Sequence, residues 1–436
     1  RQVSVTGPRT GTSITHYNDK GQVDWVQDAA TNKTWFAYDE DTGRQIAVTN
    51  ALGDAVYSHF DAKGQLLATW GATYPVAYDF DDFGRMSTMY TYRGASNITS
   101  YSDITNLKSS MDKTTWLYDE ATGLLTNKLY ADGKGPRYTY TPEGKLQTRT
   151  WARLSTNNQS LITTYSYTNT SGEMIAIAYS DDTPDVTFAF NRLGQQTTIT
   201  DGTGARTFTY NDALQLGSET NVFGVIQRQY DSLGRSSGFT AGDNYSVQYG
   251  YSDVGRFASI SSSVQSVSSV VSYSYLPNSD LIAGWSNGTV SVMKSYEGNR
   301  DLITRVKNMA GTNLISQFDY QNDALGRRVQ RVDSIPTTTT TNQFAYNPKS
   351  ELTGAGMGTN EFGYAYDPIG NRTSITNNGE PITYLANELN QYTNISDGVT
   401  IAPSFDLDGN MTGYNGWTFS WDAENRLIGA SNGTTN

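Results

Sequence analysis

One phrase limits what this chain can fold into: aromatic-x-Tyr-Asp-x-x-Gly-Arg, returning about every 20 residues. Clear copies are Gln229-Tyr230-Asp231-Ser232-Leu233-Gly234-Arg235, and Tyr364-Ala365-Tyr366-Asp367 followed by Pro368-Ile369-Gly370-Asn371-Arg372. Another is Trp417-Thr418-Phe419-Ser420-Trp421-Asp422 with Asn425-Arg426-Leu427. Looser copies begin at Tyr138, Phe188 and Tyr249, and Asn191, Asn211, Asp231 and Ser252 hold equivalent places. Roughly sixteen units are recognisable between Trp35 and Asn436.

Each part of the phrase has a mechanical role. Aromatic residues two apart, such as Phe188 and Phe190, share one face of a strand. The Asp or Asn that follows opens a turn by accepting a backbone N–H two residues on. Glycine three residues later supplies the positive φ that closes a type I turn with a bulge. Asn425 stands in for glycine in the last copy, as asparagine tolerates that conformation. The register then places Asp231 opposite Arg235 and Asp422 opposite Arg426. On the other side Phe60 faces Leu66, Tyr140 faces Leu146 and Trp421 faces Leu427.

Some copies depart from the pattern. Asp39 reaches Gly43 and Asp119 reaches Gly123 through one extra residue, and Asp79 reaches Gly84 through two. Asn211 to Leu214 lacks glycine, and Tyr320 is displaced from Asp323-Ala324-Leu325-Gly326-Arg327. Longer or bulged turns are expected at these sites. Residues 261–272 read as a strand pair without aromatics, 335–341 as an exposed loop or hairpin tip, and 97–112 as an insertion.

Composition supports strands. Only 36% of residues are hydrophobic, but 30 tyrosines and 41 glycines favour short aromatic strands broken by turns. No long stretch has apolar residues at helical spacing, and the chain reads β throughout. A net charge of −12 without a basic cluster argues against nucleic acid. No apolar run is long enough to span a membrane. The absence of cysteine excludes disulfides and thiolate metal sites but leaves the compartment open. The start, Arg1-Gln2-Val3-Ser4, reads as neither a signal peptide nor an initiator, so the chain is expected to be an excerpt of a larger protein.

Repeated over nearly the whole chain, the Asp231 to Arg235 and Asp367 to Arg372 phrases resemble those of the RHS/YD-repeat family, which includes bacterial polymorphic toxins, toxin-complex shells and teneurins. The resemblance implies an all-β fold in which tandem hairpins form one spiralling sheet, a hollow shell or barrel, and a single array over 1–436. In bacterial members such a shell commonly encloses a C-terminal toxic domain. Two features depart from that pattern. Asp367-Pro368-Ile369-Gly370 only superficially resembles the start of the self-cleaving core segment, and reads as an ordinary repeat with Pro at the second turn position. The chain also stops just after another repeat, at Leu427 to Gly433. Neither self-cleavage nor cargo is assigned to these residues.

No residue is assigned as catalytic, cofactor-binding or metal-binding, and no cofactor is implied. His16 and His59 lie in separate hairpins without metal-site spacing. Phosphate-loop, nucleophile-elbow and zinc-helix motifs are absent. The clusters Asp79-Phe80-Asp81-Asp82 and Asp181-Asp182 have calcium-type oxygen donors, but solvated acidic turns account for them. Trp70, Trp285 and Trp417 could stack on sugars from an outer surface, whereas core or lumen lining is the favoured role. The expected function is a secreted or cell-surface shell holding a C-terminal toxin or other protein cargo. A surface adhesin or filament binding glycans or proteins is the alternative, and a polysaccharide-acting enzyme ranks last.

Overall fold

The computed structural model describes every residue except 8–10, 95–96, 156, 266 and 435–436. The described residues form a meander of antiparallel strands, each paired with its neighbours in sequence, in sheets of 36 and 4 strands. The larger sheet runs unbroken as far as Thr400–Ile401. It stops at Ala402-Pro403, where proline has no N–H to donate, and the smaller sheet begins at Ser404–Phe405.

The turn register is the one the repeat dictates. Phe60 pairs with Leu66, Tyr140 with Leu146 and Trp421 with Leu427, each beside a bulge. In the Asp231 copy, the Asp231 N–H donates to the Arg235 carbonyl and the Gly234 N–H to the Asp231 carbonyl, both at 2.9 Å. Asp231 Oδ1 accepts the N–H groups of Leu233 and Arg235, and Arg235 Nε reaches Oδ2 at 2.7 Å. Asn425 sits at φ 59° in the glycine place. Extra-residue turns occur at Asp39 and Asp119, where Gly43 and Gly123 donate back to the aspartate carbonyl and Thr42 and Thr122 cap the carboxylate.

Several expectations are corrected. The Asp79 copy has no long turn: Phe80 takes the tyrosine place, pairing with Met86, and Asp81 to Gly84 make the ordinary turn. Asn322 takes that place before Asp323 and pairs with Arg328, again with an ordinary turn. Repeats also begin before Trp35, because Tyr17-Asn18-Asp19-Lys20-Gly21 forms the same hairpin with Tyr17 opposite Val23. Of the two readings for 335–341 the hairpin tip is the one that holds: it closes the long hairpin of Arg328–Ile335 and Thr338–Tyr346, with Ile335 paired to Thr338. The Ser/Val strands of 261–272 pair as expected around their turn, whose Ser266 lies outside the described residues.

Leu214 closes its turn without a longer loop. It occupies glycine's place at φ 63°, with Asn211 and Gln215 bonded as in the other copies. Left-handed backbone costs a side chain about 1–2 kcal/mol. Leu214→Gly is therefore expected to stabilise the chain by roughly 1 kcal/mol in urea unfolding, after glycine's own entropy loss is deducted. No gain, or a loss, would mean that Leu214 packing outweighs the strain.

Alternation sorts the two faces. In the strand Gly204–Tyr210, Arg206, Phe208 and Tyr210 are half-buried while Ala205, Thr207 and Thr209 are exposed. Rings continue across hairpins: Phe257 lies 5.8 Å from Tyr249 and 5.4 Å from Tyr273. With no second layer, the exposed surface is 25240 Å², against about 16,000 Å² for a compact globule of this length. The chain is a wall, not a ball.

One region has depth, and it corrects the all-strand reading. The insertion holds a helix, Tyr101–Leu107, with a Ser100/Asp103 capping box, followed by a 3₁₀ turn, Lys108–Ser110. Tyr101, Ile104 and Leu107 do lie at helical spacing, but over too short a run to stand out. The helix covers the sheet face opposite Phe60. Ile104 and Met111 pack with Ala68, Trp70 and Ala77, and Tyr101 stacks on His59 at 3.9 Å.

Candidate functional site

The motif residues reach beyond their own hairpins. The tyrosine hydroxyl donates backwards to a carbonyl of the preceding repeat: Tyr210 to Gln196 at 2.7 Å, Tyr230 to Leu216 at 2.9 Å, Tyr251 to Ser236 at 2.8 Å. The residue after glycine reaches forwards to the next turn. Gln195 donates to the Leu214 carbonyl, Gln215 to Gly234 and Arg327 to Asn347. Turn partners are chemically matched as well. Asp takes Arg at 81/85, 231/235, 323/327 and 422/426, and Asn takes Gln at 191/195, 211/215 and 387/391. These staples fix the spacing between hairpins, so the sheet can curve regularly.

The curve brings distant repeats together. Motif turns from the last third of the chain sit against the opposite edge of the first. Tyr74 donates to Glu351 at 2.7 Å, and a side chain at Gly370 would run into the Tyr74 hydroxyl. Arg93 joins Asp112 at 2.5 Å, Asp367 at 3.6 Å and Asn390. Arg149 holds both oxygens of Glu424, at 2.8 and 2.7 Å. The Ala152 N–H donates to Asp408, and the Ala423 N–H to Thr183, each at 2.8 Å. Arg153 lies 3.1 Å from Asp408, angled away from a hydrogen bond, and 3.6 Å from Asp406, and it donates to the Asp422 carbonyl. Among the described residues, five buried polar side chains occur, and Arg153, Thr183 and Asp422 are three of them. The seam between coils therefore holds most of these buried polar residues, while Thr163 and Asn342 bond to neighbouring strands.

Electrostatics divide the carboxylates. Partial burial tends to raise Asp81, Asp231, Asp323 and Asp422, but bonds and charge from the paired arginine outweigh it, and all four stay below the usual range. Their contribution is complete above the unfolded carboxylate pKa of about 3.9 and is lost as pH falls through the folded values. Asp408 runs the other way. Burial raises it despite the Ala152 and Arg153 N–H groups and the Arg153 charge. Its contribution is present at low pH and disappears as pH rises through its folded value. Asp408→Asn is expected to exceed the parent in stability at about pH 7 and to match it at about pH 3. A less stable variant at neutral pH would show that the carboxylate charge holds the seam.

The residues singled out from sequence do not converge. His16 stacks on Trp25 at 5.1 Å and pairs with Asp24, while His59 lies under the helix. Asp79 is engaged by Tyr90 and Lys108, and Asp81 by Arg85. Asp181 accepts the Thr183 N–H. Among the described residues, no three His, Cys, Asp or Glu side chains gather as a metal site. Trp70 is buried beneath the helix, in line with the favoured core role rather than outer sugar stacking; Trp285 and Trp417 are half-buried in their strands. The exposed indole is instead Trp35, with Lys33 over both it and Trp25. The seam residues Tyr74, Arg93, Arg149 and Arg153 lie outside the phrase, and nothing local in the sequence marks them.

Comparison with known proteins places this architecture. No protein-family description matches the chain, and no curated protein resembles it in sequence. Solved structures do. The Tc holotoxin pore of Photorhabdus luminescens superposes with a TM-score of 0.63 at 14% identity, over 95% of this chain and 26% of that one. The TcdB2–TccC3 structure gives 0.61 at 15% identity, over 95% and 27%. A TcdB2–TccC3 form without its hypervariable C-terminal region gives 0.61 at 14% identity, over 95% and 26%. The chain thus spans about a quarter of the length of these neighbours. Its fold is an RHS-like β-shell, a long wall of antiparallel hairpins. Among the described residues, no helix is long and apolar enough to cross a membrane.

Proposed function

We propose that this chain is a non-catalytic shell wall, one array over 1–436, that encloses or presents a protein cargo outside the cell that makes it. The observation that carries this reading is the seam, where turns from 347 to 425 lock onto residues between 74 and 183 and convert a strip into a coil. Surface is spent on curvature rather than on a catalytic cleft. The net charge of −12 and the half-buried tyrosine face offer a partly unfolded polypeptide many weak contacts. The fold neighbours support the reading, since one is described as a holotoxin pore and another as a form without its hypervariable C-terminal region.

The test is protease protection in the protein isolated from its own cells. A co-purifying or attached polypeptide is expected to resist protease until urea opens the coil. A protein that shields nothing from protease would contradict enclosure. A second reading, a glycan- or protein-binding surface, is favoured by one observation, the exposed Trp35 beside Trp25 and Lys33. Glycan-array binding abolished by Trp35→Ala would establish it.

A further inference from the structure

On the face of the wall opposite Phe60, aromatic rings stand on both sides of a strip of small side chains. His16, Trp25 and Trp35 form one row across three neighbouring strands, His16 opposite Trp25 and Trp25 opposite Trp35. Tyr57 and Trp70 form a second row, paired across their strands and stacked at 5.8 Å. Between the rows the register gathers Ala37, Ala47, Thr49 and Ala55. The result is a trench with aromatic walls and a floor of methyl groups and one hydroxyl.

Each wall is backed on its far side. Trp25 lies 5.9 Å from Trp35, and Trp70 is buried under the inserted helix. The inner rings stay open, Trp35 at 43% exposed and Tyr57 at 41%. Inner rings and floor come from the consecutive strands Lys33–Tyr38, Gln45–Thr49 and Ala55–Phe60, so the trench belongs to the face of the wall and to neither edge.

The floor decides between ligands. A sugar brings a hydroxyl on nearly every carbon, and each one left unpaired against methyl groups carries a desolvation cost. Thr49 is the one hydroxyl on the floor, and beyond the Trp25 wall His16 and Asp24 are already paired at 3.0 Å. A proline ring asks for no hydrogen bond, and a polyproline II segment arrives already extended, with little entropy to lose. Spacing agrees. Two strand spacings and a two-residue offset put the Trp35 and Tyr57 backbones about 12 Å apart. Prolines three residues apart return to one side of a polyproline II helix about every 9 Å, and the breadth of the aromatic rings closes the difference. Lys33 adds charge at one end. Its ammonium sits 4.0 Å from the Trp25 ring centre and 5.4 Å from that of Trp35, with no carboxylate partner among the described residues.

We infer that the trench binds an extended proline-rich segment of another protein, its prolines against Trp35 and Tyr57 and an acidic residue beside Lys33. The inference rests on the reading of Trp35 as part of a binding surface and narrows the ligand to a polypeptide. Enclosure of a cargo is independent of it.

Fluorescence anisotropy tests it, with the purified chain and a labelled peptide of Pro-Pro-Ala repeats ending in aspartates. Saturable binding is expected, and none to the same peptide with alanine in place of proline. Trp35→Ala and Tyr57→Ala are each expected to weaken it about tenfold or more, because a few aromatic anchors carry most of the energy of such contacts. Tyr57→Phe keeps the ring and is expected to keep the affinity. Ala37→Gln fills the floor while leaving both rings in place, and is expected to weaken binding as well. Trp35, Tyr57 and Ala37 are exposed, so the circular-dichroism melt is expected to stay unchanged. Lys33→Glu is expected to lower affinity for the aspartate-ended peptide and raise it for a lysine-ended one. A peptide that fails to bind, or binds as well to Trp35→Ala, overturns the inference. If an acidic oligosaccharide binds in its place, the surface stands and the polypeptide falls; if neither binds, both fall.

Discussion

Replacing Arg153 with methionine is expected to release the last four strands from the rest of the wall. The guanidinium is buried between Asp406, Asp408 and the Asp422 carbonyl, all contributed by the small sheet that begins at Ser404. Removing one partner of a buried ion pair leaves the other charged and desolvated, at a cost of about 3–5 kcal/mol. The small sheet has no strand ladder to the larger one, because pairing stops at Ile401. The loss should therefore appear locally: faster amide exchange over 404–431 and new protease cleavage near Ala402-Pro403, with the earlier hairpins unaffected. Adding Asp408→Asn should restore part of the loss by removing the stranded carboxylate. A drop below about 1 kcal/mol would mean that the Arg149–Glu424 pair and the Ala152 and Ala423 bonds hold the seam without Arg153.

Ile104→Ala is expected to cost about 3 kcal/mol. Ile104 is wholly buried in the only deep cluster among the described residues, between the inserted helix and Ala68, Trp70 and Ala77. A helix of seven residues cannot persist without tertiary packing. The variant should lose helix docking, expose Trp70 and shift its fluorescence to the red, while exchange over Leu66–Gly71 and Val76–Phe80 quickens. Arg93 and Asp112 flank the insertion and belong to the seam, so loosening is expected to spread to the turns at Asp367 and Asn390. A change under about 1 kcal/mol would show that the insertion is an ornament on the wall.

How far the sequence was legible follows from what is local. The hairpin is a short-range object: Asp, Gly and the residue after Gly lie within five positions, so pairings such as Trp421 with Leu427 could be read directly. The missed turns have the same cause in reverse. Phe80-Asp81 was hidden by the more literal Tyr78-Asp79, and Leu214 showed that a turn held by its neighbours on both sides can force an unsuitable residue into place. The helix was hidden by its brevity. The seam was illegible for a deeper reason, since Arg149 and Glu424 are 275 residues apart and the motif specifies the identity of neither. Glu424 fills a variable position of its motif turn, and its meeting with Arg149 depends on the accumulated curvature of every hairpin between them, a quantity no single repeat encodes.

The direct test of that curvature is a distance across one coil. The chain has no cysteine, so spin labels at Thr73→Cys and Pro348→Cys, both on the rim of one gap between coils, report a single pair. Their separation is expected below about 30 Å, because neighbouring edges of a coiled wall are in contact. Laid out flat, the intervening strands would hold them roughly 110 Å apart, at about 4.8 Å per strand. A short distance that lengthens in urea supports the coil; a distance near the flat value in the native protein would contradict it.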